Sequence, residues 1–260
     1  MNHWTKLSVE YANQRSYLDD LFRVYPTIPE GIREIDESIW DEVEKAFDNQ
    51  NNLNLLKGLL KFDLFPIKDS YVAYLKRDPS SIDRNPATVD RLCGRLYEMG
   101  LTDIYKKCTE PKETNRQIGP MFRRWLQKGS LGVELIDNVD DFMATTENAV
   151  FDGSDNELGN FARDHLNYGV DKGLDFVGKF NDKYIIGEAK FLTDFGGHQN
   201  AQFNDAIATL KDEGTTAVKI AILDGVLYIK GRNKMHRYLS THENYNIMSS
   251  LVLREFLFQV

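Results

Sequence analysis

Asp175, twelve intervening residues, and then Glu188-Ala189-Lys190 put two carboxylates and a lysine in one short stretch of chain. Two carboxylates can hold Mg²⁺, and a lysine beside them adds a positive charge where a phosphate would sit. The combination suits hydrolysis of a phosphodiester, which needs charge neutralised around phosphorus and a water made nucleophilic near neutral pH. Lys190 is assigned first to positioning that water, because an unperturbed ammonium, with a pKa of about 10.4, is a poor base.

These residues need elements that bring them together. Residues 173–179, Gly-Leu-Asp-Phe-Val-Gly-Lys, and 183–190, Lys-Tyr-Ile-Ile-Gly-Glu-Ala-Lys, are apolar-rich strand candidates. Asn181-Asp182 between them supplies turn residues, so the pair reads as a hairpin. Side chains alternate along a strand, so Glu188 and Lys190 share a face and Asp175 can meet them from the neighbouring strand. Chance alone often produces such spacing in a chain with 28% charged residues. The stronger signal is that the three polar groups interrupt two consecutive, otherwise apolar strands.

The arrangement resembles the PD-(D/E)xK nuclease superfamily, with Asp175, Glu188 and Lys190 as its D…ExK signature and Leu174 where the family often has proline. The resemblance implies an α/β (α+β) fold, a mixed central sheet flanked by helices. It also implies Asp175 and Glu188 as metal ligands, the Ala189 carbonyl as a possible third, and Lys190 as catalytic cation. Many members add an acid from a preceding helix. Glu157 stands in that place, although it reads equally well as a first-turn helix acid favoured by the macrodipole. With no helicase, P-loop or methyltransferase motif, the plan looks like a type II restriction endonuclease. That resemblance implies a Mg²⁺-dependent homodimer cutting both strands of a short double-stranded DNA sequence. Two other readings stay open, a repair nuclease acting on DNA structure and a non-catalytic DNA-binding protein.

Two segments suit DNA contact. After Gly196-Gly197, a helix candidate opens with His198, Gln199, Asn200, Gln202 and Asn204. Amide side chains pair bidentately with adenine in the major groove, but they also cap helices. Residues 114–129 form a basic segment carrying Arg116, Gln117, Arg123, Arg124 and Lys128, with Ile118, Phe122, Trp125 and Leu126 spaced to pack inward and Pro120 interrupting a continuous helix. Helices between Pro86 and Lys128 could form a helix-turn-helix-like reader or an ordinary bundle with a solvated basic face. A second basic run, Lys230 to Arg237, carries the same ambiguity.

Residues 1–135 read as mostly helical and residues 136–260 as the nuclease core, with the acid-rich stretch from Leu135 to Asp155 as their junction. Residues 36–47 place Ile39, Trp40, Val43, Ala46 and Phe47 on one helical face. Asn85-Pro86 opens another helix that Gly100 ends. Residues 217–223 and 226–230 read as a second hairpin turned by Asp224-Gly225. Cys93 and Cys108 fall in predicted helices, at a spacing that fits neither a zinc ribbon nor a disulfide framework. A net charge of −8 argues against a nonspecific polyanion binder without excluding a specific nuclease. The N-terminus lacks a signal-peptide pattern and no apolar run is long enough to span a bilayer, so a cytoplasmic location is expected.

Overall fold

The computed structural model describes residues 1–14, 16–26, 33–111 and 118–260. The chain divides into two compact units, one from residues 1–27 with 114–260 and one from residues 28–113. The first unit opens with helices α1 (His3–Gln14) and α2 (Tyr17–Val24). The second is all-helical among its described residues: α3 (Glu37–Asp48), α4 (Asn52–Leu60), α5 (Val72–Arg77), α6 (Ser81–Arg84), α7 (Pro86–Met99) and α8 (Leu101–Cys108).

Asp36 caps α3 by accepting from the backbone N–H groups of Ser38 and Ile39. Pro86 sits in the first turn of α7, and Gly100, at φ 79°, follows its end. The apolar faces of these helices converge on a core containing Trp40, Val43, Leu55, Leu59, Leu92, Leu96 and Ile104, with Cys93 and Cys108 buried inside it.

The first unit resumes with α9 (Ile118–Gln127) and is built on a sheet. Its elements are β1 (Glu134–Ile136), α10 (Val139–Ala144), β2 (Ala149–Phe151), α11 (Asp155–Leu166), β3 (Phe176–Phe180), β4 (Lys183–Leu192), α12 (Gly197–Leu210), β5 (Val218–Gly225), α13 (Lys234–Thr241), β6 (Asn246–Met248) and α14 (Ser250–Leu257). The strands lie in sequence order, β1 to β6. The β1–β2, β4–β5 and β5–β6 pairs are parallel, while β2–β3 and β3–β4 are antiparallel. This is the mixed sheet flanked by helices that the resemblance implies.

The β3–β4 hairpin forms as expected. Asn181 and Asp182 both take positive φ, the backbone a tight hairpin turn requires. Alternation divides its side chains between two cores. Phe176, Phe180, Ile185 and Ala189 join the core shared with α9 and α14, while Val177 and Ile186 face the core that includes Leu158, Phe161 and Ala162 of α11.

Three expectations about elements meet corrections. There is no second hairpin: β5 continues through Gly225 between β4 and β6, and Val226–Tyr228 forms a short 3₁₀ turn. Gly225 instead allows a close crossing, since a Cβ there would stand 2.0 Å from the Leu192 carbonyl oxygen and its φ is 102°. The stretch from Leu135 to Asp155 carries the end of β1 and all of β2, whose Ala149, Val150 and Phe151 are buried in the sheet, while most of its acids are exposed and half-buried Asp152 pairs with Arg123. Pro120 does not interrupt α9, whose described residues run through it from Ile118 to Gln127. Of the helices in the 86–128 span, α7 and α8 belong to one unit and α9 to the other.

The N-terminal helices pack where the chain ends its sheet. Thr5 Oγ1 donates to the Ile247 carbonyl (2.8 Å), and the Ser249 N–H donates to Ser8 Oγ (2.9 Å). Asp224, fully buried, accepts from the hydroxyls of Tyr17 and Tyr25, each at 3.1 Å, from Ser249 Oγ, and from the Ser250 N–H at 3.2 Å.

Candidate active site

Alternation on β4 sets Glu188 and Lys190 on the same face as Ile186, toward α11. Asp175 immediately precedes β3 and hydrogen-bonds the next strand, its N–H donating to the Gly187 carbonyl at 3.1 Å. It is therefore one pairing step from Glu188. The three side chains meet: Lys190 Nζ lies 2.7 Å from Asp175 Oδ2 and 2.7 Å from Glu188 Oε2. Asp175 Oδ2 also accepts from the Ala189 N–H at 2.9 Å. In a strand the N–H and C=O of one residue point to the same side, so the Ala189 carbonyl turns toward Asp175 as well.

A second lysine completes the surroundings of Glu188. Lys172 Nζ stands 3.2 Å from Glu188 Oε1 and 3.1 Å from Asp205 Oδ1, and it donates to the Asp205 carbonyl at 2.7 Å. Its loop is held by α11, with Arg163 donating to the carbonyls of Val170 and Lys172. Asp205 lies on α12, so the buried carboxylate is linked to that helix through one side chain.

Helix α11 approaches from the other side. Ser154 and Glu157 form a reciprocal capping box, with Glu157 Oε2 accepting from the Ser154 N–H at 2.7 Å. Glu157 is thus occupied at the helix start. The acid of this turn that senses the site is Asp155, whose carboxyl is raised by burial and by the charge of Asp175. Its backbone carbonyl accepts from the Leu174 N–H at 3.0 Å. Gly173 permits that contact, since a Cβ there would come within 2.7 Å of the Asp155 carbonyl oxygen.

The charges are strongly coupled. Burial pushes Glu188 up to about 7, the Asp175 charge adds to this, and Lys190 and Lys172 pull against both. Burial also opposes the charge on Lys190, but the Asp175 and Glu188 carboxylates outweigh it and hold the ammonium above its ordinary range. Lys190 is therefore a fixed cation, poorly suited to accept a proton.

Among the described residues no three Asp, Glu, His or Cys side chains form a metal-binding group by themselves. The donor set nevertheless suits a hard cation: two carboxylates already direct an oxygen each at one positive charge, the Lys190 ammonium.

The expected DNA contacts divide. Gln199 is buried, and its Oε1 accepts from the Thr193 N–H. Asn200 Nδ2 donates to the carbonyls of Phe195 and Gly196, bracing the loop that enters α12. Gln202 pairs with His198 at 3.3 Å, while His198 and Asn204 are exposed. On α9, Arg123 pairs with Asp152 at 2.9 Å and Arg124 is exposed, as is Lys128 just past the helix. Arg116 and Gln117 lie outside the described residues.

Spacing singles out neither Lys172 nor Asp155. A usable signal for the second existed, because the Ser154-x-x-Glu157 pattern is itself a capping-box signature and leaves Asp155 as the unassigned acid.

Comparison with curated proteins and with solved structures finds no match. A family-level comparison matches residues 2–260 to the description "Tsp45I type II restriction enzyme". The match covers nearly the whole chain, both units and every residue of the cluster around Glu188, and the chain therefore belongs to the Tsp45I family of type II restriction enzymes.

Proposed function

We propose that this restriction endonuclease hydrolyses phosphodiester bonds of double-stranded DNA at a specific sequence, with Mg²⁺ as cofactor and Asp175, Glu188 and Lys190 at the reacting centre. The observation that carries the reading is the meeting of both carboxylates on the single ammonium of Lys190. Asp175, Glu188 and the Ala189 carbonyl would hold the metal, and the Asp175 charge also acts on Asp155 of the α11 capping turn. Bound there, a divalent cation supplies a water of lowered pKa and neutralises charge on the phosphate.

The chain's own groups do the rest. Glu188 is steered by a lysine at each oxygen. Asp175 is fixed by the Ala189 N–H, so its second oxygen stays available. Lys190, whose ammonium the Asp175 and Glu188 carboxylates favour, would orient the attacking water against the phosphate. The bond to the leaving oxygen breaks as the water's oxygen attaches to phosphorus; the attacking water gives a proton to solvent and the leaving oxygen takes one up from solvent, leaving a hydroxyl and a phosphomonoester. One such site cuts one strand, so cutting both favours a homodimer in which each subunit addresses one strand. Exposed His198 and Asn204, together with Gln202 of α12, would meet DNA, as would exposed Arg124 of α9 and Lys128 just after it. Among the described residues no helix is long and apolar enough to cross a membrane.

The test is incubation with unmodified phage DNA and Mg²⁺, alongside Asp175→Asn and an EDTA control. Discrete fragments that vanish in both controls are expected. Fragments that persist in Asp175→Asn would remove that residue from the site, and a smear without bands would remove sequence specificity.

A further inference from the structure

Residues 230–237, Lys-Gly-Arg-Asn-Lys-Met-His-Arg, contain four Lys or Arg and no acid, in a chain whose 40 acids outnumber its 32 Lys and Arg. Lys230, Arg232, Lys234 and Arg237 are all exposed, and none forms an ion pair among the described residues. Elsewhere exposed cations are commonly matched, as in Lys57 with Asp83, Lys61 with Glu42 and Arg84 with Asp78. Four unmatched cations crowded together repel one another, and an anion relieves that repulsion.

The segment also stands in the right place. β5 runs parallel to β4, pairing Lys190 with Leu223 and Leu192 with Gly225, so the chain leaves β5 at the end of the sheet toward which β4 carries Glu188 and Lys190. Buried Leu227 and Tyr228 anchor the departing chain. Asn233 caps α13 by accepting from the His236 N–H. Met235 and Leu239 face inward, while Lys234 and Arg237, spaced i and i+3, share the solvent side. Tyr238 packs edge-on against Phe203 of α12, with ring centroids 5.4 Å apart. The cationic surface thus adjoins the helix whose Asp205 holds Lys172 against Glu188.

We propose that Lys230, Arg232, Lys234 and Arg237 form a phosphate-binding surface that docks the backbone of duplex DNA beside the reacting centre. The inference rests on the DNA-cleavage reading and adds to it the surface that carries sequence-independent affinity. Backbone contacts hold register without reading bases, so this surface sets affinity and leaves the cut site unchanged.

The test measures binding of a mixed-sequence duplex by fluorescence anisotropy, without divalent metal, across a range of NaCl concentrations. Proteins compared are the wild type, a variant with all four cations changed to Gln, and a charge-conserving Arg232→Lys/Arg237→Lys variant. Each lost phosphate contact lowers the slope of log K against log[salt] by about 0.9. The expected result is a smaller slope for the Gln variant, a wild-type slope for the Lys variant, and the same Mg²⁺-dependent fragments from both, at a raised KM for the Gln variant alone. Binding and cleavage by the wild type with an unchanged slope in the Gln variant would overturn this inference alone. Equal loss of slope in the Lys variant would also overturn it, since charge would not then be the cause. A wild type that neither binds nor cuts duplex would overturn the cleavage reading first.

Discussion

Glu188 takes a lysine on each oxygen, and only Lys190 belongs to the signature that drew attention to the site. The meeting of Asp175, Glu188 and Lys190 was legible because a short hairpin and strand alternation are local rules. Lys172 was not legible, since it reaches Glu188 from a loop whose course is set by Arg163 and by its tie to Asp205 on α12. Nothing in local periodicity encodes that course. Lys172 pulls the Glu188 carboxyl down against burial, and the balance stands at about 7 instead of the usual 4.5. A folded-state value raised in this way favours the protonated form. It stabilises the metal-free fold below about 4.5, and that contribution is lost as pH rises through about 7. A cation needs the ionised form, so cleavage should fall as pH drops through the same region. In Lys172→Met the acid limb of the kcat/KM profile should move to higher pH, the Mg²⁺ requirement should rise roughly 10–100-fold, and Lys172→Arg should restore much of both. An unmoved acid limb would show that Lys172 does not act through Glu188.

At the scale of elements, the helices with clear caps and the β3–β4 hairpin could be read from sequence, and the run around Asp224-Gly225 misled. The dipeptide has the composition of a hairpin turn, but its residues serve long-range contacts. Gly225 lets β5 pass the end of β4, and Asp224 gathers Tyr17, Tyr25, Ser249 and Ser250 from α2, the residue after it, and the start of α14. Those partners are distant in sequence and invisible to any local window. Burial raises the Asp224 carboxyl, while its hydrogen bonds with Ser249, Ser250 and Tyr25 oppose the shift. Tyr17 also accepts the Gly225 N–H at 2.9 Å. Tyr17→Phe removes a donor from a buried carboxylate and an acceptor from that N–H, so it should cost about 1–3 kcal/mol of stability. The check is the midpoint of urea unfolding. An unchanged midpoint would mean that solvent reaches Asp224 and replaces the hydroxyl.

For the whole molecule, the all-helical unit of residues 28–113 has its own core, and both cysteines sit inside it. Burial pushes the Cys93 and Cys108 thiols up to about 12, so few thiolates exist near neutral pH. The native protein should resist iodoacetamide at pH 8, with both thiols becoming reactive when that unit opens. Mass spectrometry of the modified protein reads the outcome, and rapid stoichiometric alkylation of the native enzyme would contradict the buried core. The sheet has another consequence, in the order of synthesis. Because its strands lie in sequence order, each can pair as soon as it leaves the ribosome, and the β3–β4 hairpin needs nothing beyond Leu192 to close. The helices made first cannot settle so early. α1 bonds Ile247 and Ser249, and Tyr17 and Tyr25 bond Asp224, so the N-terminal segment must wait for chain that emerges more than two hundred residues after α1. A nascent chain would therefore hold Asp175, Glu188 and Lys190 together before it has the latch that steadies them.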